Sequence, residues 1–380
     1  MADVFGHYAQ DLAGSAAWDE VFEAAERPRS HYAALCDTLR LFSAADMAER
    51  KAGLDRAFQH AGITVDHDGP EQAWPLDLVP RLLTASEWDL IQRGVRQRVK
   101  ALEGFLADVD GPQEILKDGI VPPHAVFASR GYHRVAGQFA ASHGVRVHVA
   151  GVDLVRDEAG RFRVLEDNIR VPSGVSYVLE NRHAMTKVLP EAFATHRVRP
   201  VADYAVQLLD ALRATAPAGV NDPTVVLLTP GRYNWAYFEH TVLARQMGVT
   251  LVAGRDLVVR EDRVYMRTTA GEKVVDVVYR RIDDEWLDPR HFRTDSVVGC
   301  AGLVGAARAG RVTIAKRRRQ RRRRRQAHRH LRARFHPVLP RRAPCTGQRS
   351  DLPARGPRPT IAGARPAGYA RRQTCRQRRR

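Results

Sequence analysis

The clearest helical period in the chain begins at Thr84. Trp88, Ile91, Val95, Val99, Leu102 and Leu106 recur at steps of three or four residues, the spacing that lines one face of an α-helix. Thr84 and Glu87 have the spacing of a capping box, and Val109-Asp110-Gly111-Pro112 is a stop signal. The pattern predicts one amphipathic helix over 84–110, whose apolar face needs no role beyond packing. Residues 1–75 read as mostly helical and hold few landmarks. From Val145 the period drops to two: Val145, Val147 and Val149 alternate with polar or small residues. Val152-Asp153-Leu154-Val155, the turn signal Asp157-Glu158-Ala159-Gly160, and Phe162 and Val164 leading into Leu165-Glu166-Asp167-Asn168 then predict a β-hairpin. Helical character returns over 177–188. A second α/β unit follows, with a short buried strand over 225–228, the turn Pro230-Gly231, and a helical face of Phe238, Val242, Leu243 and Met247. Gly248 ends that helix and a strand over 249–252 comes next, a βαβ pattern that implies a parallel sheet. Further strands are predicted over 258–260, 263–267 and 274–279.

The hairpin carries the most informative chemistry. Side chains two apart on a strand share a face, so Glu166 and Asn168 point one way and Asp167 the other. The turn returns Asp153 alongside them. Three oxygen ligands without His or Cys suit a hard divalent cation such as Mg²⁺, which commonly shares its shell with substrate phosphates. Arg170 and the Ser173-Gly174 turn add a cation and a phosphate-sized bend. The alternative for the same residues is a polar sheet edge. Arg280, Arg281, Asp283 and Asp284 follow the strand over 274–279, at the strand end where parallel sheets bind ligands; a solvated loop with local ion pairs explains them equally. Asn234, Glu239 and His240 sit at a strand-to-helix junction and read either as an anion site or as a helix cap.

The arrangement Asp153…Glu166-Asp167-Asn168…Pro172-Ser173-Gly174 resembles the metal-binding hairpin of ATP-grasp ligases. The longer string VLEDNIRVPSGVSYVLENR resembles a narrower group, the circularly permuted ATP-grasp type 2 proteins. PLDLVPRLLTASEW, EILKDGIVPP, GRYNWAYFEHTVLARQMGV, VVYRRIDDEWLDP and GLVGAARAGRVTIA agree with it in the same order, so the resemblance covers about residues 70–315. It implies an α/β, circularly permuted ATP-grasp-like fold. The expected parts are a helical N-terminal region (1–75), a catalytic subdomain with the metal hairpin (76–200) and a parallel, pre-ATP-grasp-like α/β domain (201–315). It also implies ATP-dependent joining of a small-molecule or peptide carboxylate to an amine through an acyl phosphate. Asp153, Glu166 and Asn168 would hold Mg²⁺ on ATP, and Arg170 and Ser173 would contact phosphate or substrate. Asn234, Glu239, Arg280, Arg281, Asp283 and Asp284 would serve substrate binding. The arginine that usually stands two residues before the hairpin aspartate is Gly151 here, which makes Arg170 the candidate for oxyanion stabilisation. The segment Ser129-Arg130-Gly131-Tyr132-His133 also resembles the family, without an assigned role.

Charge divides the chain in two. The whole sequence carries 61 Lys and Arg against 43 Asp and Glu, a net of +18, which taken alone points to nucleic acid or an anionic surface. Residues 316–380 hold 23 Arg, one Lys and one acid, Asp351, leaving 37 bases and 42 acids in residues 1–315, a net of −5. The tail is expected to be disordered. It reads as an arginine-rich nucleic-acid arm, as a solvated linker, or as GC-rich DNA translated out of frame, which yields Arg, Pro, Ala, Gln and His in excess. The third reading leads, because natural arms mix Lys with Arg. Read one base later, the 27 codons of Lys316–Arg342 permit NAVGNGVADDKLIxTYVPDFIRYYLGE, close to the family's continuation, NAxGNGVADDK. The nucleotide lid and adenine clamp would lie in that second frame, so this 380-residue chain is expected to turn over little ATP. The competing class is a non-catalytic binding protein that meets nucleic acid non-specifically through its tail. No run of 18 apolar residues and no basic leader appear, and four widely spaced cysteines (Cys36, Cys300, Cys345, Cys375) form no CxxC pair. These features fit a cytoplasmic protein without a membrane span or zinc ribbon.

Overall fold

In a computed structural model that describes residues 18–24, 27–65, 72–129 and 142–315, two capping boxes set the helices before the hairpin. The strands β1 (Phe22–Ala24) and β2 (Arg27–Pro28) pair antiparallel, followed by helix α1 (Ala33–Arg40) and helix α2 (Ala44–Ala61). Ser43 and Asp46 cap α2 reciprocally, and Gly62, at φ 70°, ends it, a left-handed position that suits glycine. After the short pair β3 (Thr64–Val65) and β4 (Gln72–Ala73) comes helix α3 (Ala85–Asp110), capped by Thr84 and Glu87 as the spacing predicts. Glu87 also binds Arg156 at 2.8 Å, so one carboxylate both starts α3 and ties it to the hairpin. Two short helices, α4 (Glu114–Lys117) and α5 (Pro123–Phe127), complete this part.

The predicted hairpin is β5 (Gly151–Arg156) with β6 (Phe162–Asn168). Helices α6 (Val175–Val188), α7 (Pro190–Thr195) and α8 (Tyr204–Arg213) follow. The βαβ unit is β7 (Val225–Leu228), α9 (Tyr237–Met247) and β8 (Thr250–Val252). Strands β9 (Leu257–Arg260), β10 (Arg263–Thr268) and β11 (Gly271–Val275) form an antiparallel meander. Strand β12 (Val277–Arg280), helix α10 (Leu303–Arg308) and strand β13 (Thr313–Ala315) close the described chain. The order β13-β12-β7-β8 gives a four-stranded, fully parallel sheet. The four residues of β7 are all buried, as a strand covered on both faces requires. One face packs on α8 and α9 through Leu208, Leu212, Leu243 and Met247. The other packs through Val226, Leu228 and Val278 against Val264 and Met266 of β10. The N-terminal helices build a separate core with α6 and α7, from Tyr32, Leu35, Leu39, Leu54, Phe58, Met185 and Leu189.

Two strand predictions are corrected. The alternating Val145, Val147 and Val149 form no strand. The backbone amides of Arg146 and Val147 instead donate to the two oxygens of Glu103 on α3, each at 2.8 Å. A carboxylate takes the place of a partner strand. The single strand over 274–279 is two strands in different sheets, parted at Asp276. The Asp276 carboxylate accepts from the Thr224 amide at 2.8 Å, and the Asp276 amide returns a bond to the Thr224 carbonyl. That exchange starts β12 beside β7. No described helix is long and apolar enough to cross a membrane. The arginine-rich tail and residues 130–133 of the Ser129–His133 segment lie outside the described residues.

Candidate functional site

The hairpin register places Asp153 directly opposite Glu166, Val152 opposite Asp167 and Gly151 opposite Asn168. The ladder then slips, because Leu154 pairs with Val164 and leaves Leu165 as an extra residue. Such a bulge bends the strand and re-aims its side chains. Asp167, on the other face, makes a two-pronged bond to Arg98 of α3, with both distances 2.6 Å. One face of the hairpin is therefore fastened to α3, and the other presents Asp153 and Glu166 together. Partial burial, then the negative charge of Glu166, raises the Asp153 carboxyl above its ordinary value, as two adjacent carboxylates must do.

Among the described residues no three His, Cys, Asp or Glu side chains converge as metal ligands do. The hairpin offers two carboxylates and, two residues on, the Asn168 amide. An all-oxygen set in which like charges crowd one another fits a hard divalent cation.

Beyond Asn168 the chain turns over the end of the hairpin. A Cβ built on Gly151 would lie 2.8 Å from Cβ of Pro172, so the 170–174 loop folds across the space that a glycine leaves. A larger side chain at 151 would crowd Pro172. The variant Gly151→Arg is expected to lose about 1–3 kcal/mol by overpacking. A lowered midpoint in urea denaturation checks it, and an unchanged midpoint would show that the loop yields freely.

The 170–174 loop is held from the far side. Arg281 donates through Nη1 to the Pro172 carbonyl at 2.7 Å and through Nη2 to Ser173 Oγ at 2.9 Å. It also pairs with Glu239 at 2.5 Å, both side chains fully buried. Glu239 accepts from the Gly174 amide with its second oxygen. Arg170 pairs with Asp283 at 2.9 Å, and both are partly exposed. Arg281 continues the β12–β7 ladder, its amide bonding the Leu228 carbonyl at 2.8 Å.

These contacts surround a cavity of about 400 Å³ at the C-terminal ends of β7 and β12, the position where parallel sheets receive ligands. Arg170, Ser173, Asn234, Arg281 and Asp283 line it. Residues expected from three separate stretches thus meet at one place. Glu239, Arg280 and Asp284 do not line it: Glu239 lies buried behind Arg281, and Arg280 pairs with Asp284 at 2.8 Å with side-chain exposures of 0% and 4%. They shape the cavity rather than face it, and they form no solvated loop. Asn234 also caps the turn into α9, its Oδ1 accepting from the Ala236 amide at 2.9 Å. His240 lines the cavity and its Nδ1 lies 2.9 Å from Thr229 Oγ1. Sequence reasoning missed Trp235 and Trp286, which also line the cavity. Both stand in the motif strings that carry the family resemblance, so a signal was present.

Residues 80–318 match the model of a family described as a circularly permuted ATP-grasp. An uncharacterized protein of Mycobacterium tuberculosis is 55% identical over 312 residues, covering 82% of this chain and 57% of its own length. One from Synechocystis sp. is 46% identical over 302 residues, or 78% of this chain and 63% of that protein. A protein of Frankia alni described as a putative glutamate–cysteine ligase is 39% identical over 303 residues, 79% of this chain and 35% of the relative. The chain thus spans 57% of the length of the first curated relatives it matches.

Proposed function

We propose, for a chain that belongs to the circularly permuted ATP-grasp family, that this body is the metal- and substrate-binding part of an ATP-dependent ligase joining a carboxylate to an amine. The observation that carries the reading is the pairing of Asp153 with Glu166 on a bulged hairpin, whose strand runs straight into a loop lining a cavity. Asn168 and Arg170 are two residues apart, at most about 7 Å of chain. Metal-held phosphates at the hairpin and a carboxylate in the cavity are therefore within reach of each other.

In this reading Asp153, Glu166 and Asn168 hold Mg²⁺, which when bound neutralises the charge on the ATP phosphates. Arg170 offers its guanidinium to the oxyanion, because its partner Asp283 is partly exposed and free to turn to water. Ser173 and the Gly174 amide fix the loop through Arg281 and Glu239. The protein's share of catalysis is positioning and electrostatics. The catalytic subdomain is assigned to residues 76–200 and the substrate-facing α/β domain to residues 201–315. The tail is assigned to a shifted frame, supported by a family match that stops at residue 318, shortly after the composition changes at Lys316.

Sequencing the gene across codon 315 tests the tail, and a second frame without a lysine-containing, glycine-rich segment overturns that assignment. The function is tested by expressing the gene as it stands and with the frame shifted by one base after codon 315. The shifted product is expected to release ADP from ATP in the presence of Mg²⁺, amino acids and carboxylic acids, and the 380-residue chain little or none. Robust release by the 380-residue chain, abolished by Glu166→Ala, would keep the ligase reading and overturn the impairment. No release from either product would overturn the ligase reading.

A further inference from the structure

The cavity is lined by two chemically different sets of residues. Its polar set is interlinked: Arg170 bonds Asp283, and Arg281 bonds Ser173. The Arg281 side chain is fully buried and its Nε has no hydrogen-bond partner, an unusual state for a guanidinium N–H. The second set is apolar and includes Pro230, Trp235, Trp286 and Val298.

Trp235 is 75% exposed, and Tyr233 beside it is 90% exposed. Neither hangs on a slack loop. The Asn234 side chain bonds the Ala236 amide, and the Tyr237 amide bonds the Asn234 carbonyl at 2.9 Å. Trp286 is held at the opposite strand end, its carbonyl accepting from Ser296 Oγ at 2.6 Å and its ring covered by Arg293 at 4.0 Å. A solvent-facing indole carried on a hydrogen-bonded turn at a cavity lining is surface that an apolar ligand group would cover.

We propose that the cavity takes an amphipathic carboxylate: an anionic head beside Arg170 and Arg281, and an aromatic or large apolar body against Trp235 and Trp286. Each lining cation already has one carboxylate partner, Arg170 in Asp283 on the lining and Arg281 in Glu239 behind it. A head of single charge therefore suits the site better than a polyanion. About 400 Å³ is within the range of ligand pockets and exceeds what a bare carboxylate fills. A small polar acid would leave the Trp235 indole wet. The inference rests on the ligase reading only in making this molecule the carboxylate substrate, because the cavity lies against the loop that leaves the metal hairpin.

Calorimetric titration of the full chain without ATP or Mg²⁺ tests the binding by itself. The probes are N-acetyl-L-phenylalanine, its carboxamide, and N-acetyl-L-alanine. The phenylalanine acid is expected to bind at least about tenfold more tightly than either of the others, since one lacks the charge-assisted bond and the other the apolar body. Trp235→Ala is expected to weaken the phenylalanine acid about tenfold and leave the alanine acid unchanged, and Trp235→Phe to restore binding, as a stacking role requires. Equal affinity for acid and amide, equal affinity for phenylalanine and alanine acids, or indifference to Trp235→Ala would each overturn the proposal. So would the absence of saturable binding. Ligase activity on small polar acids alone would overturn it while leaving the ligase reading intact.

Discussion

Truncation of Glu239 to alanine is expected to destabilise the protein by about 3–5 kcal/mol, the cost of removing one partner from a buried ion pair. Glu239 and Arg281 have no side-chain exposure, so the variant leaves a buried guanidinium without its carboxylate. The Gly174 amide loses its acceptor in the same step, and an unmade bond to a buried amide carries its own penalty. Against a typical stability of about 5–15 kcal/mol, this is a large fraction. Urea denaturation at fixed m-value reads it as a drop in midpoint. Glu239→Gln keeps the shape and one of the two acceptor oxygens, so its cost should be smaller. Pairing Glu239→Leu with Arg281→Met removes both charges and should recover part of the loss. Recovery stays partial because Pro172 and Ser173 lose the donors that hold their loop. A loss below about 1 kcal/mol for Glu239→Ala would match a solvated pair and contradict the burial.

That ion pair also shows where reading the sequence stops. Local signals were legible because the responsible atoms are close in sequence. Thr84 and Glu87 stand three apart and cap α3, Gly248 ends α9 one residue past Met247, and the period of two with a turn signal forms β5 and β6. The meeting of Asp153 and Glu166 was legible for the same reason, since one short hairpin brings them opposite each other. The alternating valines misled because a side chain, not a strand, satisfies their backbone: Glu103 lies 43 residues from Arg146. The strand over 274–279 misled because a buried run carries no mark of where it changes sheet. Arg281 and Glu239 are 42 residues apart, Gly174 and Glu239 65, and Arg98 and Asp167 69. Arg281 and Glu239 had local explanations as a loop charge and a cap, Arg98 had no reading, and only the fold makes these residues partners. Motif resemblance nevertheless marked most of the cavity, because the strings it matched hold the residues at the strand ends where the cavity forms.

The second large effect concerns the hairpin and has two signs. Glu166→Gln removes one of two adjacent carboxylates while keeping the strand and its register. Without metal, the variant is expected to melt at a higher temperature than the parent, because Glu166 is part of what raises the Asp153 carboxyl. The sign follows from linkage: a carboxyl whose folded value lies above its unfolded one weakens the fold as pH rises through that interval. Relief is therefore full at neutral pH and disappears below the ordinary aspartate value of 3.8, where Asp153 is protonated whether folded or not. With Mg²⁺ the order is expected to reverse. In the proposed reading the folded parent holds a ligand set that the unfolded chain lacks, so Mg²⁺ should raise its melting temperature by mass action. The variant, short of one anionic oxygen, should bind Mg²⁺ about 10–100-fold more weakly, the loss that even outer-shell changes at metal sites produce. Thermal melts with and without Mg²⁺ at neutral pH and near pH 3.5, with titration of Mn²⁺ as a spectroscopic probe, separate the two effects. A Glu166 that served only the fold would lower the melting temperature in both conditions. A crossing of the two curves on adding Mg²⁺ requires that the stability lost to crowding two carboxylates on one strand pair be recovered through a cation, which is the physical content of a metal site.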